Sequence, residues 1–250
     1  MQYAVQTTNL TKSFGDTVAV DHVDLAVPAG AFYGFLGPNG AGKSTTIKCL
    51  TGLLRQEQGT IRILGLDPRS DDLDIKRQTG VIPEDEALFE RLTGAETLTL
   101  VARVHGLAGS VAQQRRSELL TLLGLDGAAG KLVVDYSHGM RKKLALAVAL
   151  LPSPRLLFLD EPFEGIDPIA SHQIKELLQR FVGRGGTVFL TSHILEIIER
   201  LADHVGIIDR GRLVVQGTIA EVTAGRTLED AFITAVGAPP AAARTLEWLG

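Results

Sequence analysis

The chain holds one cysteine, one tryptophan and two methionines in 250 residues, and aromatic residues make up 5% of it. A lone Cys49 cannot cross-link the chain to itself, so a disulfide scaffold is excluded and a reducing compartment is expected. Long apolar runs are missing too. The longest strongly apolar run, Leu144 to Leu151, is far short of the roughly 20 residues a bilayer-crossing helix needs. Met1-Gln2-Tyr3-Ala4 has no basic region followed by an apolar stretch, so no secretory signal is expected. Neither sign of charge dominates. The 25 Lys and Arg against 29 Asp and Glu leave a net charge of −4, which argues against nucleic-acid binding driven by bulk charge. The 27 glycines follow no strict period, which excludes a collagen-like chain. What is present is ordinary for a folded protein: 45% hydrophobic and 22% charged residues, in a chain long enough to bury a sizeable core.

Strand-length apolar runs recur between helical patterns, at Ala31 to Leu36, Thr60 to Leu64, Gly80 to Ile82, Leu156 to Leu159, Thr187 to Leu190 and Val205 to Ile208. Leu156-Leu157-Phe158-Leu159 is continuously apolar, the pattern of a strand covered on both faces in a parallel sheet. Such strands alternating with helices predict an α/β fold. The first 30 residues alternate more like antiparallel strands, with a turn at Phe14-Gly15-Asp16. Between about 87 and 150 no strand is predicted. Glu96 to His105, Val111 to Leu123 and Gly139 to Leu151 read as helices, punctuated by Gly106, Gly109 and Gly124. The expected layout is one domain over 1–236. It has a core in 1–86 and 151–222 and an inserted helical subdomain in 87–150. A C-terminal helix and tail follow in 223–250, loosely held from Gly237-Ala238-Pro239-Pro240 onward.

Gly37-Pro38-Asn39-Gly40-Ala41-Gly42-Lys43-Ser44 matches G-x-x-x-x-G-K-[ST] in full, between an apolar strand and a helical stretch that opens Ser44-Thr45-Thr46-Ile47. Glycines let the backbone curl so that successive N–H groups face phosphate oxygens, and the helix start adds partial positive charge. Lys43 is expected to reach the β- and γ-phosphates, and Ser44 to ligate Mg²⁺. This makes the core a P-loop NTPase with a mixed, mostly parallel sheet. Downstream, Leu156 to Leu159 ends in Asp160-Glu161. Ligands of parallel sheets bind beyond the carboxyl ends of strands, so Asp160 is placed to hold Mg²⁺ and Glu161 to position or deprotonate an attacking water.

These motifs, with Tyr136-Ser137-His138-Gly139-Met140 some twenty residues before the acidic pair, resemble the nucleotide-binding subunit of an ATP-binding cassette (ABC) transporter. The resemblance runs from about residue 3 to 235. The five-residue element stands where that family carries its L-S-G-G-Q signature, and generic P-loop kinases and GTPases lack it. Alone, Ser137 would read as a helix cap. The resemblance implies that Ser137 and Gly139 meet the γ-phosphate of ATP bound to the opposite protomer. It implies that Asp167, in Gly165-Ile166-Asp167-Pro168, crosses the dimer interface. His193, after Leu190-Thr191-Ser192, would contact the γ-phosphate, and Phe14 would stack on adenine.

The sequence departs from the family at three points. Glu84, in Gly80-Val81-Ile82-Pro83-Glu84, replaces the usual Gln and would sit near the metal. His138 replaces Gly, and Met140 replaces Gln. Ser-x-Gly-Met and Pro-Glu in these places resemble the cassettes of ABC-2-type exporters. The implied cofactors are ATP and Mg²⁺. The implied partners are a second cassette, identical or different, and an integral membrane permease on a separate chain, with no nucleic acid. The permease would hold the chain in the cytoplasm at the inner face of the membrane. It would dock around Glu84 to Thr99.

Overall fold

The computed structural model describes residues 3–85 and 87–237. The calls that fall on residues 238–250 lie outside this range. Among the described residues no helix is long and apolar enough to cross a membrane.

The chain begins as an antiparallel sheet. β1 (Tyr3–Phe14) pairs with β2 (Thr17–Val23), β3 (Ala26–Pro28) and later β5 (Gln58–Ile63). Between β3 and β5 come β4 (Phe32–Leu36), the phosphate-loop segment and α1 (Lys43–Leu50). After β5 follow α2 (Asp72–Gln78) and β6 (Thr79–Ile82). Three helices come next: α3 (Gly94–Val104), α4 (Gly109–Leu122) and α5 (His138–Leu150). The chain then alternates through β7 (Leu156–Asp160), α6 (Pro168–Gly183), β8 (Thr187–Ser192), α7 (Leu195–Leu201) and β9 (His204–Asp209). It closes with β10 (Arg212–Thr218), α8 (Ile219–Thr223) and α9 (Leu228–Val236).

The second sheet has the order β10-β9-β4-β8-β7-β6. Its neighbours are parallel except for the antiparallel β9–β10 pair. The fold class is therefore the α/β class expected, with a mostly parallel main sheet. The edge strand β10 was not among the expected strands, and its half-exposed alternation explains why: it carries no continuous apolar run. Strand β7 is buried throughout and divides its side chains between two cores. Leu157 and Leu159 join the helices of one face. Leu156 and Phe158 join the antiparallel sheet, with α1 and α2, on the other. This is the physical reason for its unalternating sequence. Phe189 of β8 anchors the second core. Its ring lies 5.5 Å from that of Tyr33 in a stacked pair, with Phe35 at 5.3 Å and Phe158 at 5.8 Å. Burial of each such ring is worth about 1.5–3 kcal/mol, which fixes the centre of the sheet and hence the carboxyl ends of β4 and β7.

The helix starts near those ends are set locally. Thr93 and Glu96 form a capping box on α3. Ser137 caps α5 by accepting the Met140 amide at 3.3 Å. Asp167 caps α6, with Pro168 in the first turn.

Candidate functional site

The β4 strand delivers Leu36 to its carboxyl end, and the chain turns through residues 37–42 into α1. Gly42 has φ +106°, and a Cβ there would sit 2.4 Å from the Ala19 carbonyl of β2. Only glycine fits that left-handed and crowded position, so the loop and the first hairpin close on each other. Lys43 is buried. Its ammonium donates to the carbonyls of Gly37 at 2.8 Å and Pro38 at 3.3 Å, and it stands 3.9 Å from Glu161 Oε1.

β7 delivers Asp160 and Glu161, both buried. The Thr191 hydroxyl, on β8, donates to Asp160 Oδ1 at 2.5 Å and accepts the Glu161 amide at 3.1 Å. Glu161 has φ +47°. A left-handed backbone at a non-glycine residue is strained and persists only where its surroundings hold it, a pattern concentrated at active sites. Glu161 Oε2 lies 3.0 Å from His193 Nδ1 and accepts the His193 amide at 3.3 Å. On the far wall Ser44 Oγ donates to Glu84 Oε2 at 3.4 Å.

These groups open into one cavity of about 360 Å³, lined by Asn39, Gly40, Gly42, Lys43, Ser44, Thr45, Glu84, Glu161 and His193 of the expected residues, and also by Ala19 and Glu164. A larger cavity of about 570 Å³ lies between α4, α6 and the start of β7, lined by arginines and leucines. It holds none of the motif residues, and its one acid is Glu118. Chemistry therefore places the site in the smaller cavity. The remaining loop residues Gly37, Pro38 and Ala41 and the acid Asp160 do not line it; they form its support. Glu164 escaped the sequence reading because no spacing rule marks it. It returns to the cavity because its amide bonds the Glu161 carbonyl at 3.2 Å, a tight turn across Pro162 and Phe163.

Ser137, Gly139, Asp167 and Phe14 stand outside the cavity. A Cβ built on Gly139 would come no nearer than 3.4 Å to Asp167 Oδ2, so the first turn of α5 lies beside the first turn of α6. The Ala170 amide, followed by that of Ile169, holds the Asp167 carboxyl below the usual carboxylate range. His138 Nε2 lies 3.1 Å from the Glu164 carbonyl. Phe14, at the tip of the first hairpin, is half exposed, with the Lys12 ammonium 5.3 Å from its ring centroid.

Among the described residues no group of three or more His, Cys, Asp or Glu side chains could hold a metal by itself. The hard oxygens of Ser44 and Glu84, 3.4 Å apart in the cavity, nevertheless suit Mg²⁺, while Asp160, the third expected ligand, is buried behind it. That ion is commonly bound through one or two carboxylates plus substrate phosphates, not by an all-protein cage. Three acids line the cavity against Lys43 and His193, so a polyphosphate would enter best with a divalent cation.

The ABC transporter family matches residues 20–164. The daunorubicin/doxorubicin resistance ATP-binding protein DrrA of Streptomyces peucetius is 42% identical, over 88% of this chain and 66% of its own length. The bacitracin transport ATP-binding protein BcrA of Enterococcus faecalis is 37% identical, over 89% of this chain and 71% of its own. The chain thus spans about two thirds of the length of these relatives. A solved structure described as an ATP-binding subunit of an ABC transporter superposes with a TM-score of 0.88 at 31% identity, covering 93% of this chain and 99% of that one. A family match over more than half of the sequence, and a fold agreement that extends through both sheets and the helices between them, lead to one conclusion: the chain belongs to the ABC transporter family, as an ATP-binding cassette.

Proposed function

We propose that this chain is the ATP-hydrolysing subunit of an exporter, working as a pair of cassettes that drives a membrane permease carried on a separate chain. One observation carries the reading: the residues expected to contact nucleotide fall into two groups, one lining the cavity and one outside it. Lys43, Ser44, Glu84, Glu161 and His193 share the cavity, whereas Ser137, Gly139 and Asp167 stand together outside it. A second copy placed head to tail supplies to each cavity what its own chain presents elsewhere. Two ATP molecules are then held between the protomers. The Gly42 to Thr45 segment is on one side of each, and the Ser137–Gly139 helix start is on the other. ATP stabilises the closed pair because only that arrangement offers both sets of contacts.

In this reading Phe14 stacks on adenine. Lys43 and the loop amides hold the β- and γ-phosphates, supported by Gly37, Pro38, Asn39, Gly40 and Ala41. Ser44, Glu84 and Asp160 would hold Mg²⁺, which would supply positive charge against the phosphates. The Glu161 carboxylate accepts a proton from water as that water attacks the γ-phosphorus. The bond to the bridging oxygen breaks, and ADP and phosphate leave. His193 lies 3.0 Å from Glu161 and lines the cavity, and in this reading it links the γ-phosphate to the base. Loss of the γ-phosphate removes the contacts that clasp the pair, and the pair opens.

The names of the two relatives, a drug-resistance protein and an antibiotic-transport protein, support export as the direction of work. The permease would meet the segment from Glu84 to Thr99, where Phe89 stands 61% exposed. It would hold the chain at the inner face of the cell membrane.

The test is phosphate release by the purified protein from Mg·ATP with no acceptor added. Release supports an ATPase; ADP formed without free phosphate, and only when a small acceptor is present to carry the phosphoryl group, would make it a kinase. Gly139 offers a second check. Its φ is not in the left-handed region, and an added Cβ meets only ordinary contacts within the chain, so the fold itself does not require glycine there. Gly139→Ala is expected to keep the thermal midpoint within about 2 °C, as surface changes do, while lowering turnover at least about tenfold by placing a methyl group where the partner's nucleotide closes on the helix start. Wild-type turnover in this variant would remove Gly139 from the nucleotide interface.

A further inference from the structure

We infer that Lys142, on the second turn of α5, is a positioning residue that sets the aim of Glu161 and ties it to the helix presenting Ser137 and Gly139. The inference rests on the reading that Glu161 places the attacking water. Lys142 is 3% exposed, and its ammonium donates to the carbonyl of Glu161 and to that of Glu84, each at 3.4 Å. Burying an ammonium is costly unless polar groups meet it, so a lysine at this depth marks an interaction that the surrounding fold has to sustain.

What it holds is the strained point of the site. Glu161 adopts φ +47°, and its backbone is gripped by two side chains: the amide by Thr191 Oγ1 at 3.1 Å, and the carbonyl by Lys142 at 3.4 Å, which shares it with the Glu164 amide at 3.2 Å. Rotation about either flanking bond would swing the carboxylate away from His193 and Lys43. The two grips come from different places. Thr191 belongs to β8, in the interior of the parallel sheet. Lys142 belongs to the helix whose first turn carries Gly139, three residues earlier. The same ammonium also holds the Glu84 carbonyl. A displacement of α5 is therefore felt at once by the catalytic carboxylate and by the acid opposite Ser44. In the paired state, the contact of Ser137 and Gly139 with the partner's nucleotide reaches the Glu161 of the same chain through one side chain. Each protomer would report on its neighbour's ATP in this way.

The experiment compares Lys142→Met, which keeps the stem and removes the charge and donors, with Lys142→Arg, which keeps both. Affinity for Mg·ATP is measured by calorimetry, and turnover by phosphate release. The Met variant is expected to lose at least about tenfold in kcat but no more than about threefold in affinity for Mg·ATP, because Lys43 and the phosphate loop are untouched, the Glu84 carbonyl loses one donor, and the aim of the base is relaxed. The Arg variant is expected to recover kcat to within about threefold of wild type, since its guanidinium reaches two carbonyls. Wild-type kcat in the Met variant overturns the inference. So does an equal loss of affinity and kcat that arginine fails to rescue, because that pattern belongs to a general packing role. Should the Met variant not fold, Lys142→Gln is read by the same criteria. Its amide ends one atom short of the lysine ammonium and so cannot hold both carbonyls, which already lie at 3.4 Å, and wild-type kcat in it overturns the inference. Nucleotide-dependent pairing of Glu161→Gln alone serves as the reference. If that protein fails to pair, the two-cassette reading fails. If it pairs while Lys142→Met turns over normally, only the role given to Lys142 fails.

Discussion

Lys43→Ala is expected to weaken Mg·ATP binding by about 10- to 100-fold, the equivalent of the roughly 1.5–3 kcal/mol carried by a hydrogen bond to a charged group. The geometry makes this residue hard to replace. Its ammonium carries three donors, of which two engage the Gly37 and Pro38 carbonyls at 2.8 and 3.3 Å, so it braces the loop as well as facing the phosphates. It is also the cation that stands 3.9 Å from Glu161, in a cavity whose other charged lining groups include the acids Glu84, Glu161 and Glu164. Removing it withdraws a donor from the phosphates and leaves that acidic wall opposed by less positive charge. Calorimetric titration with Mg·ATP measures the effect. An affinity within threefold of wild type would contradict the phosphate-loop assignment, whatever happened to turnover.

Glu161→Gln acts on the other half of the chemistry. The amide keeps the length of the side chain and a hydrogen-bonding oxygen for the His193 amide, now 3.3 Å from Oε2, but it cannot accept a proton from water. Turnover is expected to fall by about 10²- to 10⁴-fold, the usual cost of losing a general base. Affinity for Mg·ATP is expected to hold or to rise, because one negative charge leaves a wall that faces phosphate. The two substitutions therefore separate. One loses capture, while the other captures without turnover. A Gln variant that hydrolyses at the wild-type rate would move the proton-accepting role away from Glu161, with Glu164 the next acid to examine because it lines the same cavity.

The parts of this site that were legible in the sequence are those built from consecutive residues. The loop from Gly37 to Ser44 and the run from Leu156 to Glu161 each carry their own context, a strand and then a turn, and short-range sterics decide both. Strand β7 was readable because both its faces are covered, so its apolar run has no gaps. Strand β10 was not, since it lies at the sheet edge with alternating half-exposed residues and owes its place to antiparallel pairing with β9. Helix α6 starts on a local signal, Asp167-Pro168, in which the acid caps the first turn and the proline fits it. Glu164 and Lys142 were invisible for another reason. Their positions come from a turn that closes back on Glu161 and from a helix that packs across it, and nothing in the neighbouring residues marks either. The left-handed backbone of Glu161 was hidden likewise, because an Asp-Glu pair after a strand reads the same in relaxed and strained conformations.

The central claim, that two copies clasp nucleotide and each completes the other's cavity, is tested most directly by the mass of Glu161→Gln protein in solution, measured by light scattering with Mg·ATP and with Mg·ADP. The account predicts a species of twice the 26.8 kDa chain with Mg·ATP, and the single chain with Mg·ADP. A single-chain mass at saturating Mg·ATP, in protein that binds the nucleotide, would contradict it.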